Sequence, residues 1–231
     1  MAKKIFIIAA VAVLIIAAVI CTIFLINTKD LEPEEKGISL EGTWRIFKTG
    51  NSEQGVEYFV FDGSSVKNYR EGMAEPAFES AYSMNGIVVT VDKLSEDFSV
   101  EKKTDNVMLL YNQENEYLLV RARAEDVTAA PTYTRSDFVG TYNVLLHANG
   151  VFGEEVITFD ADQFVCTRNG ETFLATTFTV ENNVLKLVTP KGAMELKICY
   201  NDGDTIRLVE TGTDERGRIA YLAWEITLAE G

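Results

Sequence analysis

One histidine and three cysteines in 231 residues leave little material for catalysis. With His147 as the sole imidazole, the chain holds no histidine pair for a metal. A serine or cysteine nucleophile would need that same residue as its base, and no nucleophile-elbow motif is present. His147 precedes Ala148-Asn149-Gly150 and reads as a solvent-facing turn residue. Basic side chains are also few. Lys3 and Lys4 are the only charges before residue 28, so the remaining 19 basic and 35 acidic side chains give the rest of the chain a net charge of −16. Such a surface repels nucleic acid and anionic lipid headgroups. Acidic turns at Asp160-Ala161-Asp162 and Asn201-Asp202-Gly203-Asp204 lack the EF-hand spacing and its closing glutamate, so they read as β-turn chemistry. Neither a metal site nor a cofactor is implied. No long segment after residue 37 carries the 3.6-residue period of a soluble helix, which leaves a mainly β protein.

What is present is a repeat. Shifted by 98 residues, positions 42–72 lie over 140–170 without a gap, and nine of them match: Gly42/Gly140, Thr43/Thr141, Asn51/Asn149, Gly55/Gly153, Glu57/Glu155, Phe61/Phe159, Asp62/Asp160, Arg70/Arg168 and Gly72/Gly170. Chance gives about two, so the chain carries one module twice. The boundaries follow: residues 1–27 as an N-terminal anchor, 28–37 as an acidic stalk, 38–123 as module 1, 124–135 as a linker and 136–231 as module 2.

Residues 5–26 carry no charge. As a helix at 1.5 Å per residue they reach ~33 Å, enough for the ~30 Å hydrocarbon core. Lys3 and Lys4 keep the short N-terminal side in the cytoplasm and send the modules out. The run ends in Ile23-Phe24-Leu25-Ile26-Asn27 without a small-x-small cleavage site, which favours an uncleaved signal anchor. Secretion after cleavage, and acylation at Cys21, are the alternatives. Cys166 shares a strand face with Phe164, whereas Cys199 alternates away from Leu196 and Ile198, so both are expected as free thiols.

Each module divides into eight short strands: 43–48, 56–61, 65–70, 78–84, 87–92, 98–102, 107–111 and 117–121, then 141–146, 155–159, 163–168, 173–180, 184–189, 194–200, 205–210 and 218–227. Turn signals such as Asp62-Gly63, Asn85-Gly86 and Asn182-Asn183 separate several of them. A meander of eight antiparallel strands removes its edges by closing on itself. The expected fold is therefore two tandem small antiparallel meander barrels plus one transmembrane helix. Trp44, Ile46, Phe59 and Phe61 point inward in module 1. Tyr142, Val144, Ile157, Phe159, Leu222, Trp224 and Ile226 do so in module 2.

The string Leu40-Glu41-Gly42-Thr43-Trp44, the strand ending Phe61-Asp62-Gly63 and the segment Tyr82-Ser83-Met84-Asn85-Gly86 resemble small bacterial lipocalin-like domains. Val139-Gly140-Thr141-Tyr142, Phe159-Asp160 and residues 178–182 repeat them with substitutions. The resemblance implies a tryptophan packed under the closed barrel end against an arginine from a late strand, roles that fall to Trp44 and Arg121. The modules depart from it in being about half as long, in lacking a C-terminal helix signal and in placing Tyr142 where module 1 has Trp44. Barrels of such short strands are readily filled by their own side chains.

Arg70 and Arg168 are a matched basic pair on inward faces, at the ends of their strands. Each is a candidate anion-holding group at a barrel mouth or a partner for a nearby carboxylate. Candidate ligand-binding residues are thus Arg70, Arg168, Trp44, Tyr142 and Arg121. The function expected is a non-enzymatic, membrane-anchored, extracytoplasmic binding or interaction protein, its partner a protein, an envelope glycan or a small ligand. The alternatives are a carrier holding a small apolar or anionic molecule in a barrel cavity, and an envelope enzyme using carboxylates alone.

Overall fold

Alternating apolar and polar side chains, broken by turn residues at short intervals, fold the described residues into sixteen strands. The structure is a computed structural model describing residues 37–50, 55–151, 153–190 and 192–230. Module 1 comprises β1 (Gly42–Lys48), β2 (Glu57–Asp62), β3 (Ser65–Arg70), β4 (Phe78–Asn85), β5 (Val88–Val91), β6 (Glu96–Lys102), β7 (Val107–Tyr111) and β8 (Glu116–Arg121). Module 2 comprises β9 (Gly140–Leu146), β10 (Glu155–Asp160), β11 (Gln163–Arg168), β12 (Glu171–Glu181), β13 (Val184–Thr189), β14 (Gly192–Asn201), β15 (Thr205–Thr213) and β16 (Ile219–Leu228). Every strand pairs antiparallel with its sequence neighbour, and β8 returns to β1 as β16 returns to β9, so both sheets close into eight-stranded barrels. Closure gives each strand a partner on both sides and leaves no edge open. The expected membrane segment, residues 5–26, lies outside the described residues, among which no helix is long and apolar enough to cross a membrane.

The barrel interiors are packed by the residues the alternation puts there. In barrel 1, Trp44, Phe61, Phe98, Met108 and Leu119 are almost fully buried, and Phe61 meets Tyr82 edge-on at 5.0 Å. In barrel 2, Tyr142, Phe164 and Phe178 surround Phe159, whose ring lies 5.1–5.9 Å from theirs. Phe138, from a 3-10 turn at Arg135–Phe138, also reaches Phe159 and joins that core.

From Ser39 onward the chain is one compact unit, and the barrels within it pack on each other. The interface is apolar: Phe47, Val107, Leu118 and Val120 of barrel 1 meet Leu146, Cys199, Val209, Tyr221 and Ala223 of barrel 2. Residues on the outer faces of β8, β15 and β16 are therefore buried as well as those on the inner faces. That is why Leu118, Leu119 and Val120 are buried in succession, as are Ile206 to Val209 and Ala223 to Ile226. The linker takes part. A 3-10 turn at Ala124–Val127 buries Asp126 and Val127, with Asp126 Oδ1 accepting from Arg123 Nε at 3.2 Å. Asn182 and Asn183 make the β12–β13 hairpin with φ of 53° and 59°, values Asn tolerates better than most residues. The Asn183 side chain then holds the linker, accepting from Tyr133 N at 3.1 Å and donating to Pro131 O.

Both described cysteines are free and buried, on opposite sides of the barrel 2 wall: Cys166 inside the core, Cys199 in the interface. Burial pushes the Cys166 thiol up to about 11, with the Glu155 carboxylate adding to the effect, and burial likewise raises Cys199. Since the thiolate is the nucleophile, native protein treated with iodoacetamide at pH 8 leaves both unmodified. In guanidinium both are alkylated. Peptide-resolved mass spectrometry reads the two states, and native labelling of Cys199 would mean that the interface opens.

Candidate functional site

Trp44 and Arg121 meet at one end of barrel 1. The indole Nε1 donates to Leu40 O at 2.6 Å, and the Arg121 guanidinium lies 4.2 Å above the ring while Nη1 donates to Glu41 O at 2.8 Å. Gly42 makes room for it: with φ of +108°, a Cβ there would sit 2.5 Å from Arg121 Nη1. In barrel 2 the equivalent ring, Tyr142, is 1% exposed and packs on Phe159. These side chains seal barrel ends, and neither ring lines the cleft described below.

Arg70 and Arg168 each stand directly across a hairpin from a glutamate that the repeat also matches. The register pairs Glu57 with Arg70 and Glu155 with Arg168. In barrel 1 the pair is loose and open, 3.5 Å apart with the Arg70 side chain 64% exposed. In barrel 2 Glu155 is buried, accepts from Arg168 Nε at 2.5 Å, and presents its second oxygen 2.6 Å from His147 Nδ1. The expectation of a solvent-facing His147 is corrected here. The ring is half-buried, 3.9 Å from the Trp224 ring, because the turn at Ala148-Asn149 folds it back over the barrel instead of releasing it to solvent. Glu210 stands nearby. Burial holds its carboxyl above the usual range, and the Trp224 indole N–H faces it without closing a full hydrogen bond.

This cluster orients an imidazole against a carboxylate, as a general base requires. Cys166, which feels the Glu155 charge, has its thiol raised by burial, which opposes use as a nucleophile. The charges are instead spent on one another. Truncating Arg168 to leucine leaves buried Glu155 with His147 alone and is expected to cost about 2 kcal/mol. Arg70→Leu, at an exposed pair, costs under about 1 kcal/mol. Urea melts of the two variants check this asymmetry, and equal losses would contradict it.

The acidic turn Asn201-Asp202-Gly203-Asp204 does ordinary turn work: Asp202 Oδ1 accepts from Asp204 N at 3.1 Å and Thr205 N at 2.7 Å, and Asn201 Oδ1 from Gly203 N at 2.9 Å.

A different place gathers unlike chemistry. A cleft of about 320 Å³ opens where the outer faces of β1 and β2 meet β14 and β16, with Glu57 and Glu71 also on its walls. Because Trp44 and Ile46 point into barrel 1, Arg45 and Phe47 point out into this cleft, beside Tyr58 of the paired strand. From barrel 2 come Lys197, Cys199 and Tyr221. Arg45 Nη1 donates to Ile198 O across the cleft at 3.1 Å. The Lys197 ammonium lies 5.7 Å from the Phe47 ring centroid and 5.4 Å from that of Tyr221. Burial and the Arg45 guanidinium together hold Lys197 below the usual lysine range, and burial pushes the Tyr58 hydroxyl up to about 12 against the opposing pull of Arg45. None of the five candidate ligand-binding residues lines this cleft. It was discoverable in principle, from outward positions carrying Phe47, Tyr58 and Tyr221 where a solvated strand face has polar side chains. No protein-family model matches the chain, and no curated protein matches its sequence.

Proposed function

We propose that the protein is a membrane-anchored, extracytoplasmic binding protein in which two lipocalin-like modules serve as scaffold and the cleft between them is the binding site. The observation that carries this reading is the contrast between filled barrels and a furnished cleft. The interior volume a carrier would use is taken by Trp44, Phe61, Phe98 and Met108 in one barrel, and by Tyr142, Phe159, Phe164 and Phe178 in the other. The cleft joins aromatic walls to converging charges, the usual make-up of a small-ligand site. Residues 5–26 supply the anchor and Lys3-Lys4 its orientation.

Two measurements test it. With a photoreactive benzoylphenylalanine in place of Val56, which lines the cleft two residues before Tyr58, irradiated cells yield a discrete adduct. The same probe in place of Ile87, an exposed residue outside the cleft, yields none. Adducts from Ile87 alone would move the site elsewhere. For compartment, Ser64→Cys is labelled in intact cells by a membrane-impermeant maleimide, and protection of that residue would refute the extracytoplasmic placement.

A further inference from the structure

Building on that reading of the cleft as the binding site, we infer that it takes a small ligand with one singly charged headgroup, a carboxylate or sulfonate, on a flat apolar body. The headgroup sits between Arg45 and Lys197, and the body lies against Phe47, Tyr58 and Tyr221.

Arg45 supplies the first positive charge. Its side chain is half-buried, yet none of the ion pairs among the described residues includes it. Its hydrogen bond there is to a neutral carbonyl, Ile198 O. The Nε–H is buried and meets no acceptor among the described residues. A buried donor on a charged group without a partner costs free energy that an incoming acceptor recovers. Elsewhere the buried Arg207 is matched to Glu225, and the half-buried Arg168 to Glu155. Arg121 is half-buried and outside those ion pairs as well, but among the described arginines Arg45 is the one with a buried N–H that meets no acceptor.

Lys197 adds the second positive charge. It comes from the other barrel, so the two cations converge only because the barrels are docked. Burial first and the Arg45 guanidinium second hold Lys197 below the usual lysine range, and an anion brought between the two cations favours the charged lysine. A planar guanidinium gives two N–H groups to one oxyanion, and an ammonium supplies a point charge beside it. Glu57 and Glu71 on the same walls oppose a second negative charge, which restricts the ligand to one anionic group. The volume, about 320 Å³, lies at the small end of ligand pockets, ~300–1,000 Å³.

The test is a calorimetric titration of the full chain in non-ionic detergent with two probes of one shape, naphthalene-2-sulfonate and the neutral naphthalene-2-sulfonamide, each corrected against the same detergent buffer. The sulfonate is expected to bind one to one and at least about 10-fold tighter than the sulfonamide. Arg45→Gln and Lys197→Gln are each expected to weaken the sulfonate by about 10- to 100-fold and to leave the sulfonamide within about 2-fold. Lys67→Gln, at a surface pair with Glu79, changes neither. If Arg45→Gln does not fold, Lys197→Gln decides alone. Equal affinity for both probes, or sulfonate binding indifferent to these variants, overturns the anionic headgroup while the cleft remains a binding site. No binding of either probe overturns the cleft as the site as well.

Discussion

Arg207→Met is expected to lower the unfolding free energy by about 3–5 kcal/mol. Arg207 and Glu225 are the ion pair in which both side chains are nearly buried, 7% and 1% exposed. Arg207 Nε donates to Glu225 Oε1 at 3.2 Å, and its Nη1 crosses the interface to Arg121 O at 2.6 Å. Asn106 of barrel 1 donates to the same Oε1 at 2.6 Å. Removing the guanidinium strands a buried carboxylate, one oxygen of which already lacks a partner. The pair itself need not be stabilising. Arg207→Met with Glu225→Leu is expected to recover most of the loss, because two apolar side chains of similar volume leave no buried charge behind. Equilibrium urea unfolding of the two single variants and the double reads the cycle, and additive losses would contradict it.

Trp44→Ala is expected to cost a similar amount, about 3–5 kcal/mol, by a different route. The ring is fully buried, so its removal leaves a cavity at the sealed end of barrel 1, strands the Leu40 carbonyl and takes away the surface on which Arg121 rests. Trp44→Phe keeps most of the volume and is expected to lose about half as much, chiefly the hydrogen bond and part of the cation–π contact. Thermal melts separate the two. A Trp44→Ala protein as stable as wild type would mean that the end is open and that Trp44 belongs to a ligand site after all.

Much of this fold is legible in the amino-acid order, because short β-hairpins announce themselves locally. Asn85-Gly86 and Asn182-Asn183 fix turns, and the alternation around them fixes faces. All sixteen strands fall where those signals put them, within a few residues. The glutamate–arginine pairs were legible too. Once Asp62 and Ser65 close a hairpin, its register carries Glu57 to Arg70, and the repeat copies the arrangement to Glu155 and Arg168. What single-strand alternation leaves out is a second buried face. Tyr221 and Ala223 face away from the barrel 2 core and look solvated in a barrel standing alone, yet barrel 1 covers them. For the same reason Arg45 and Lys197 carry no mark of a site in sequence, since they come together only when the barrels dock. His147 reads as solvent-facing because its turn residues are local, whereas the Glu155 and Trp224 that draw its ring inward arrive from other strands.

The cleft exists only while the two barrels behave as one body. The chain has two tryptophans, and they fall one in each barrel, Trp44 and Trp224. Incorporating 5-fluorotryptophan gives two fluorine resonances that report the barrels separately without any substitution. Followed through a urea titration of the full chain, both native signals are expected to disappear at the same midpoint, as an apolar interface reinforced by Arg207, Glu225 and Asn106 requires. Two separate midpoints would contradict the account and return the protein to two independent barrels with no shared site.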